Sequence, residues 1–267
     1  MDTDSGGNNG GIDLMQQLVE AGITDEMARA ATDELRSGLL GAGEEGSVER
    51  QHDKAREVID AFRQTPFGAQ SYHWIHRRGY VIIPTFSSQE CLGKKPQFMT
   101  EKIHEEYLRE TPGGRLEVPQ KLKLATINSQ KPWMVDLEKT AHSKKLGEQF
   151  MEGASSAAQR MAFSLQALSY GWHEKVDVEK LTLLLSAAAE GSQVLHKDQD
   201  GLEVQNKLRG QGSGTRGRSE PPPYSGVCAF RDPVYLHVIE GSHKDLLKDD
   251  YDWSDAREVI VPPGYGL

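Results

Sequence analysis

The order of hydrophobic patterns along this chain predicts an α+β fold, with helices first and a β-unit last. Apolar residues recur at three-to-four spacing through the first 64 residues and again over about 143–170, the period of an amphipathic helix. From Leu181 onward they come as short runs broken by Gly, Pro and Ser. These are Leu181–Leu185, Gln193–His196, Val227–Phe230, Val234–Ile239 and Val259–Val261. Short strands at close spacing with turn signals between them are the grammar of a β-sandwich or barrel.

The chain opens on a Gly/Asn tract that reads as flexible. Ile12, Met15, Leu18 and Val19 then mark a first helix ending before Gly22. Thr24, followed by Glu26 and Met27, reads as the N-cap of a second helix running to Leu39 and Leu40 and closed by Gly41. A third starts near Ser47, with Val48, Ala55, Val58, Ile59 and Phe62 as its apolar marks. Arg78-Gly79-Tyr80-Val81-Ile82-Ile83-Pro84 is too short and too β-branched for a helix, and Pro84 closes it. Residues 87–110 read as one or two helices with a charged face. In the long helix near 143–170 the stripe Leu146, Phe150, Ala154, Ala157, Met161, Leu165 and Leu168 is a packing face. No internal repeat is present.

Composition narrows the function classes. The 267 residues are 37% hydrophobic and 27% charged, enough for a buried core. The formal net charge is −9, which argues against a nucleic-acid or anionic-membrane binder. That charge is uneven: residues 1–64 hold 14 acidic and 6 basic side chains (14 − 6, net −8), and the rest is nearly neutral. The division expected is therefore an acidic, partly disordered helical extension over 1–64 and a second domain over 65–267. Solvated helix faces account for the acidity better than a docking surface does. No apolar run approaches the roughly 20 residues of a membrane span, and the acidic, Gly-rich start is no signal peptide. Two cysteines, Cys91 and Cys228, are too few for a disulfide framework or a Cys-rich zinc site. A reduced, soluble, cytoplasmic protein is expected.

The strongest chemical candidate is Gln193-Val194-Leu195-His196-Lys197-Asp198. On a strand, residues i and i+2 share a face, so His196 and Asp198 would project together. An imidazole and a carboxylate side by side are two thirds of the facial triad that holds non-haem Fe(II) and leaves positions open. The spacing alone is weak: 9 His and 17 Asp give about 0.6 His-x-Asp matches by chance (9 × 17/267), and the chain has two. The second, His243-Lys244-Asp245, follows Gly241-Ser242 at a strand end and precedes a polar stretch read as helical. The alternative for His196 and Asp198 is a hydrogen-bonded structural pair.

Context adds a resemblance. Gln-x-x-His-x-Asp after a Leu-rich strand resembles the first metal motif of the Fe(II)/2-oxoglutarate-dependent dioxygenases. Arg78–Pro84 is similar to the strand that opens many such enzymes, including relatives of phytanoyl-CoA hydroxylase. Val238-Ile239-Glu240-Gly241-Ser242-His243-Lys244 resembles their Pro-Gly-Ser-His turn, with Glu240 where Pro is usual. Val259–Leu267, ending Pro262-Pro263-Gly264-Tyr265-Gly266-Leu267, resembles the strand leading to their second histidine ligand. The four stretches keep the family's order over about 70–267. The resemblance implies a double-stranded β-helix (jelly-roll or cupin-like) core with N-terminal and flanking helices. It implies Fe(II) held by His196 and Asp198, 2-oxoglutarate as cosubstrate, and a hydroxylase that couples its oxidative decarboxylation to C–H oxidation. His243 becomes a structural turn residue. The distal histidine, and the Arg or Lys that would pair 2-oxoglutarate, are expected beyond Leu267, so the core reads as C-terminally incomplete, a fragment with weak or no catalysis. The rival is a non-catalytic cupin-like binding protein that has lost the metal. The substrate is not legible.

Other candidates are weaker. His237 could supply a third ligand, but it alternates with Tyr235 and Ile239, and that face reads as the packed one. Pro221-Pro222-Pro223-Tyr224 matches the motif gripped by WW domains, and a rigid entry into the next strand explains it more simply. Residues 205–218 hold four basic and no acidic side chains among glycines, a solvated loop or the rim of a site for an anionic substrate. Nothing resembles a nucleotide-binding loop, a nucleophile elbow or a zinc finger. Cys228 falls in a core strand and is expected to be inert.

Overall fold

Side-chain caps set the helical register of the N-terminal half. The computed structural model describes residues 11–43, 46–95, 109–110, 116–117, 126–128, 131–136, 148–170, 182–184, 224–230, 232–245, 248 and 250–267. A two-residue strand β1 (Ile12–Asp13) runs into α1 (Leu14–Glu20), where the Asp13 carboxylate accepts from the Met15 and Gln16 amides. Gly22 takes a left-handed φ of +76° and turns the chain towards Thr24. Thr24 caps α2 (Asp25–Ala42) by accepting from Met27 N–H, as its position predicts. The helix runs past Gly41 and stops at Gly43, so the expected closure is two residues early. Gly41 keeps helical backbone and meets no neighbour that a Cβ would strike, so nothing forces a stop there.

Two further helices follow, α3 (Val48–Gln64) and α4 (Pro66–Arg78). Thr65 separates them and Pro66 sits at N1, where a missing N–H costs nothing. Gly79 ends α4 at φ +89°. Strand β2 (Ile83–Pro84) then leads to the short α5 (Ser88–Leu92), held by a capping box between Ser87 and Glu90. The helical reading of 87–110 holds for α5 and again at Lys95, but its end does not, since Arg109–Glu110 is strand β3, paired antiparallel with β4 (Leu116–Glu117). Strands β5 (Thr126–Asn128), β6 (Lys131–Asp136) and β7 (Thr182–Leu184) form a three-stranded antiparallel sheet. Between the last two lies α6 (Glu148–Leu165), which widens into a π-turn over Gln166–Tyr170.

The C-terminal part supplies β8 (Val234–Val238), β9 (Arg257–Val261) and β10 (Tyr265–Gly266). β9 is the centre of a second three-stranded sheet, antiparallel to β8 and parallel to β1, while β10 pairs with β2. The small sheets and surrounding helices make a mixed helix and strand architecture. Among the described residues no helix is long and apolar enough to cross a membrane.

One hydrophobic cluster runs through Leu14, Leu18, Leu35, Ile59, Phe62, Phe67, Trp74, Ile82, Val259, Val261 and Tyr265. Helices of the first 64 residues and strands of the last ten therefore bury surface against each other. Val81, Ile82 and Ile83 are all buried, which removes the in–out alternation of a one-sided strand. Ala157 and Met161 of α6 and Leu168 of the π-turn after it are buried, which matches the packing stripe. Each large aliphatic side chain buried here contributes about 1.5–3 kcal/mol.

Two buried arginines tie helices to this core. Arg29, 5% exposed, donates from Nε to both Asp25 oxygens at 2.9 Å. Its Nη1 donates to the Phe86 carbonyl at 2.5 Å and reaches the Gly264 carbonyl at 3.4 Å. Its guanidinium also lies 4.8 Å from the Tyr265 ring centroid, and the Tyr265 hydroxyl donates to Asp25 at 2.5 Å. One turn further along the same face of α2, Arg160 of α6 pairs with Asp33 and, at 3.5 Å, with Glu90. Burial disfavours the Glu90 charge, but the Ser87 amide, Lys95 and Arg160 outweigh it and hold the carboxyl below its ordinary range.

Arg29→Met keeps the aliphatic volume and removes the guanidinium donors to Phe86 and Gly264, leaving Gly264 only the Thr85 N–H at 3.0 Å. The Phe86 carbonyl then loses its charged donor and Asp25 its counter-charge, so chemical denaturation should show a loss of about 2–4 kcal/mol. A loss under about 0.5 kcal/mol would mean that the arginine is not the tie between α2 and the C-terminal turn.

Candidate functional site

Three of the four stretches that carry the resemblance are described, and the fold brings them into contact. Pro262-Pro263-Gly264-Tyr265 makes a tight turn, with Tyr265 N–H donating to the Pro262 carbonyl at 3.1 Å. Gly264 takes φ +79°, which a proline-then-glycine order supplies without strain. The turn delivers β10 against β2, with Tyr265 opposite Pro84 and Gly266 opposite Ile83. Pro84 is thus inside the ladder, not beyond it. The other edge of β10 takes residues 227–229, where Val227 and Leu267 exchange both N–H···O bonds at 2.9–3.0 Å. Of the Val227–Phe230 run, Cys228 forms an isolated bridge to Gly266.

The Gly241 turn docks on the end of α4. Gly241, at φ +79°, donates its N–H to the Arg78 carbonyl at 2.8 Å, one of the carbonyls a helix end leaves without partners. His243 sits in a 3-10 turn (Ser242–Lys244), with its Nε2 3.3 Å from the His76 carbonyl. Its ring lies against Gly79 so closely that a Cβ there would come within 2.3 Å of Nδ1. Glycine is required at 79 twice over, for its positive φ and for this space. Burial lowers the His243 pKa, although the His76 carbonyl works in the opposite direction. The neutral ring is the packed form.

Glu240, which stands where the family's turn has Pro, accepts from the Tyr80 hydroxyl at 2.7 Å and lies 3.7 Å from Arg78 Nε. Burial and the Glu240 carboxylate raise the Tyr80 pKa well above its ordinary value, so this phenol stays protonated. Arg78 is itself placed by Gln17 at 2.7 Å and by the Trp74 ring at 5.0 Å. Beside the turn an open recess of about 370 Å³ is lined by Ile239, Glu240, Lys248, Tyr251, Asp255 and Arg257. Its two carboxylates and two cations balance.

The leading metal-ligand pair, His196 and Asp198, lies outside the described residues, as does the basic loop over 205–218. His237 is described, and it corrects the expectation of a packed face. Val234, Leu236 and Val238 turn towards the core, because Val234 and Leu236 lie opposite the buried Val261 and Val259. Tyr235, 57% exposed, and His237 share the outer face, where the imidazole meets the Trp253 ring edge-on at 5.3 Å. Both faces of this strand carry large side chains, so alternation alone could not choose between them. Among the described residues no three His, Cys, Asp or Glu side chains come together as a metal site. Cys228 donates its thiol to Met161 Sδ at 3.2 Å, and burial pushes its pKa up to about 12, which leaves it unreactive at neutral pH.

The Tyr80–Glu240 and Gly79–His243 contacts had no signature of their own in the sequence. A family turn with an unexpected glutamate was the only signal for either.

The His243 environment gives a pH dependence of defined sign. Its pKa is lower folded than unfolded, so the unfolded chain takes up the proton first. The stability it confers is whole above about pH 6.5, the unfolded value, and declines as pH falls towards the folded value. Urea midpoints at pH 7.5 and 5.5 should differ more in the wild type than in His243→Asn; an equal difference would remove His243 as the source. Gly79→Ala should cost about 1–3 kcal/mol at either pH, from backbone strain and the clash with that ring. Set against known proteins, the chain matches no family model, no curated protein and no solved structure.

Proposed function

We propose that this chain is an Fe(II)/2-oxoglutarate-dependent oxygenase, a hydroxylase that couples decarboxylation of 2-oxoglutarate to oxidation of a substrate C–H bond. The observation that supports it is a convergence. Arg78–Pro84, the Gly241 turn and the Gly264 turn are far apart in sequence, keep the order of that family's motifs, and touch in the fold through Gly241 N–H to Arg78, Tyr80 to Glu240 and β10 to β2. Independent chance matches have no reason to be neighbours.

The described residues do not themselves fit an iron centre, since His237 and His243 are separately engaged and no third ligand joins either. Iron would rest on His196 and Asp198. Bound there with 2-oxoglutarate it would supply the oxidising chemistry. The part of the chain described contributes position: it fixes the two glycine turns on the helical layer and keeps Tyr80 protonated.

A non-catalytic cupin-like binding protein that has lost the metal is the second reading, favoured by His237, the candidate third ligand, standing on the outer face of β8 against Trp253. Metal binding separates the two. Mn(II), used as an EPR-visible substitute for iron, should bind the wild type at one site. His196→Ala and Asp198→Ala should each weaken it at least about ten-fold, while His237→Ala should leave it unchanged. Equal binding by the wild type and the His196→Ala/Asp198→Ala double variant would overturn the oxygenase reading.

A further inference from the structure

We propose that the recess within the connection between β8 and β9 binds a free α-amino acid with an apolar side chain. Three parts of that connection line the same space. Ile239 and Glu240 follow β8, Lys248 and Tyr251 come from its middle, and Asp255 and Arg257 stand at the entry to β9. At about 370 Å³ the space is large enough for a small molecule. Every lining residue is described, and no part of the site depends on iron or on oxygenase chemistry. The proline run at 221–223 lies outside the described residues and carries no part of it.

The lining holds two cations and two carboxylates, and among the described residues none of the four forms an ion pair with another. Other neighbours keep them apart. Glu240 takes the Tyr80 hydroxyl at 2.7 Å and faces Arg78 at 3.7 Å, both through Oε1, so Oε2 remains to accept. Asp255 accepts the Asp252 N–H at 3.2 Å as part of a capping box. Lys248 Nζ lies 4.6 Å from the Tyr251 ring centroid. Arg257 makes no hydrogen bond or ion pair among the described residues. Strand geometry places it instead: it pairs opposite Val238 and shares a face of β9 with the buried Val259 and Val261. A simple anion entering here meets two carboxylates, and a simple cation meets Lys248 and Arg257. A ligand that carries both charges satisfies both sets. The Arg257 fork matches a carboxylate in bidentate fashion, while Asp255 and Glu240 Oε2 accept from an ammonium. Ile239 and Tyr251 are the apolar part of the lining, available to the ligand's side chain.

Ligand-observed NMR titration of the full chain, with no metal added, tests this with three probes that share one ring. L-Phenylalanine carries both charges, 3-phenylpropanoate lacks the ammonium, and phenethylamine lacks the carboxylate. Phenylalanine should saturate the chain by about 10 mM, and each single-charge analogue should bind at least about ten-fold more weakly. Arg257→Gln and Asp255→Asn should each weaken phenylalanine binding at least about ten-fold. Asp245→Asn, an exposed carboxylate outside the lining, should leave it unchanged. Circular dichroism reports folding for each variant, and Arg257→Gln keeps the test decisive if Asp255→Asn loosens its capping box. No saturation by phenylalanine overturns the proposal. So does either analogue binding as tightly as phenylalanine, wild-type affinity in Arg257→Gln, or a loss in Asp245→Asn as large as in Arg257→Gln.

Discussion

Burying a guanidinium is costly unless its donors find acceptors, and the buried Arg29 finds them for Nε and Nη1 only where three parts of the chain coincide. Asp25 lies one turn earlier on α2, the Phe86 carbonyl follows β2, and the Gly264 carbonyl lies in the turn before β10. Tyr265 closes the arrangement, offering its ring face to the cation and its hydroxyl to Asp25. Moving any one of these elements leaves a charge or a carbonyl unsatisfied in the interior. Position, more than attraction, is what such a group confers: hydrophobic burial would tolerate sliding of α2 over the strands, whereas the fork of Arg29 has one geometry.

The same logic changes the meaning of the acidic N-terminal segment. Its net charge of −8 reads as solvated surface, yet two of its carboxylates are structural. Asp25 holds Arg29, and Asp33 holds Arg160, which reaches across from α6 to Glu90 as well. Part of the acidity is thus the counter-charge for arginines, one of them 127 residues away in sequence. The hydrophobic cluster agrees, since Leu14, Leu18, Leu35, Ile59 and Phe62 share it with Val259, Val261 and Tyr265.

Local physics was legible in the sequence, and tertiary physics was not. Thr24 could be assigned as a cap because its hydroxyl acts within three residues, and the Pro-Pro-Gly turn because its backbone angles are set by residue type. The strands at Val234–Val238 and Arg257–Val261 followed from their apolar runs. The outer face of β8 could not, because choosing it needs the knowledge that Val259 and Val261 lie opposite. Nothing local marks Arg29 as buried, since beyond Asp25 its acceptors lie 57 and 235 residues away. Of the candidate site, the scaffold motifs were legible, while the pair proposed to hold iron lies outside the described residues.

Glu240 illustrates how a departure from a pattern can be compensated by a neighbour. A proline before Gly241 would fix φ and so hold the strand end in place through the backbone alone. Glutamate leaves the backbone free, and the turn must be fixed by other means. Here it is fixed by side chains: the carboxylate takes the Tyr80 hydroxyl and faces Arg78, while Gly241 takes the last carbonyl of α4 and His243 fills the space that Gly79 leaves. Tyr80 and Arg78 belong to the opening strand motif, so the replacement converts a local restraint into a bond between two motifs. The position of the turn then depends on Arg78, which is itself held by Gln17 of α1. The glutamate thus links the placement of a C-terminal turn to the first helix of the chain, a connection that a proline at the same position could not make.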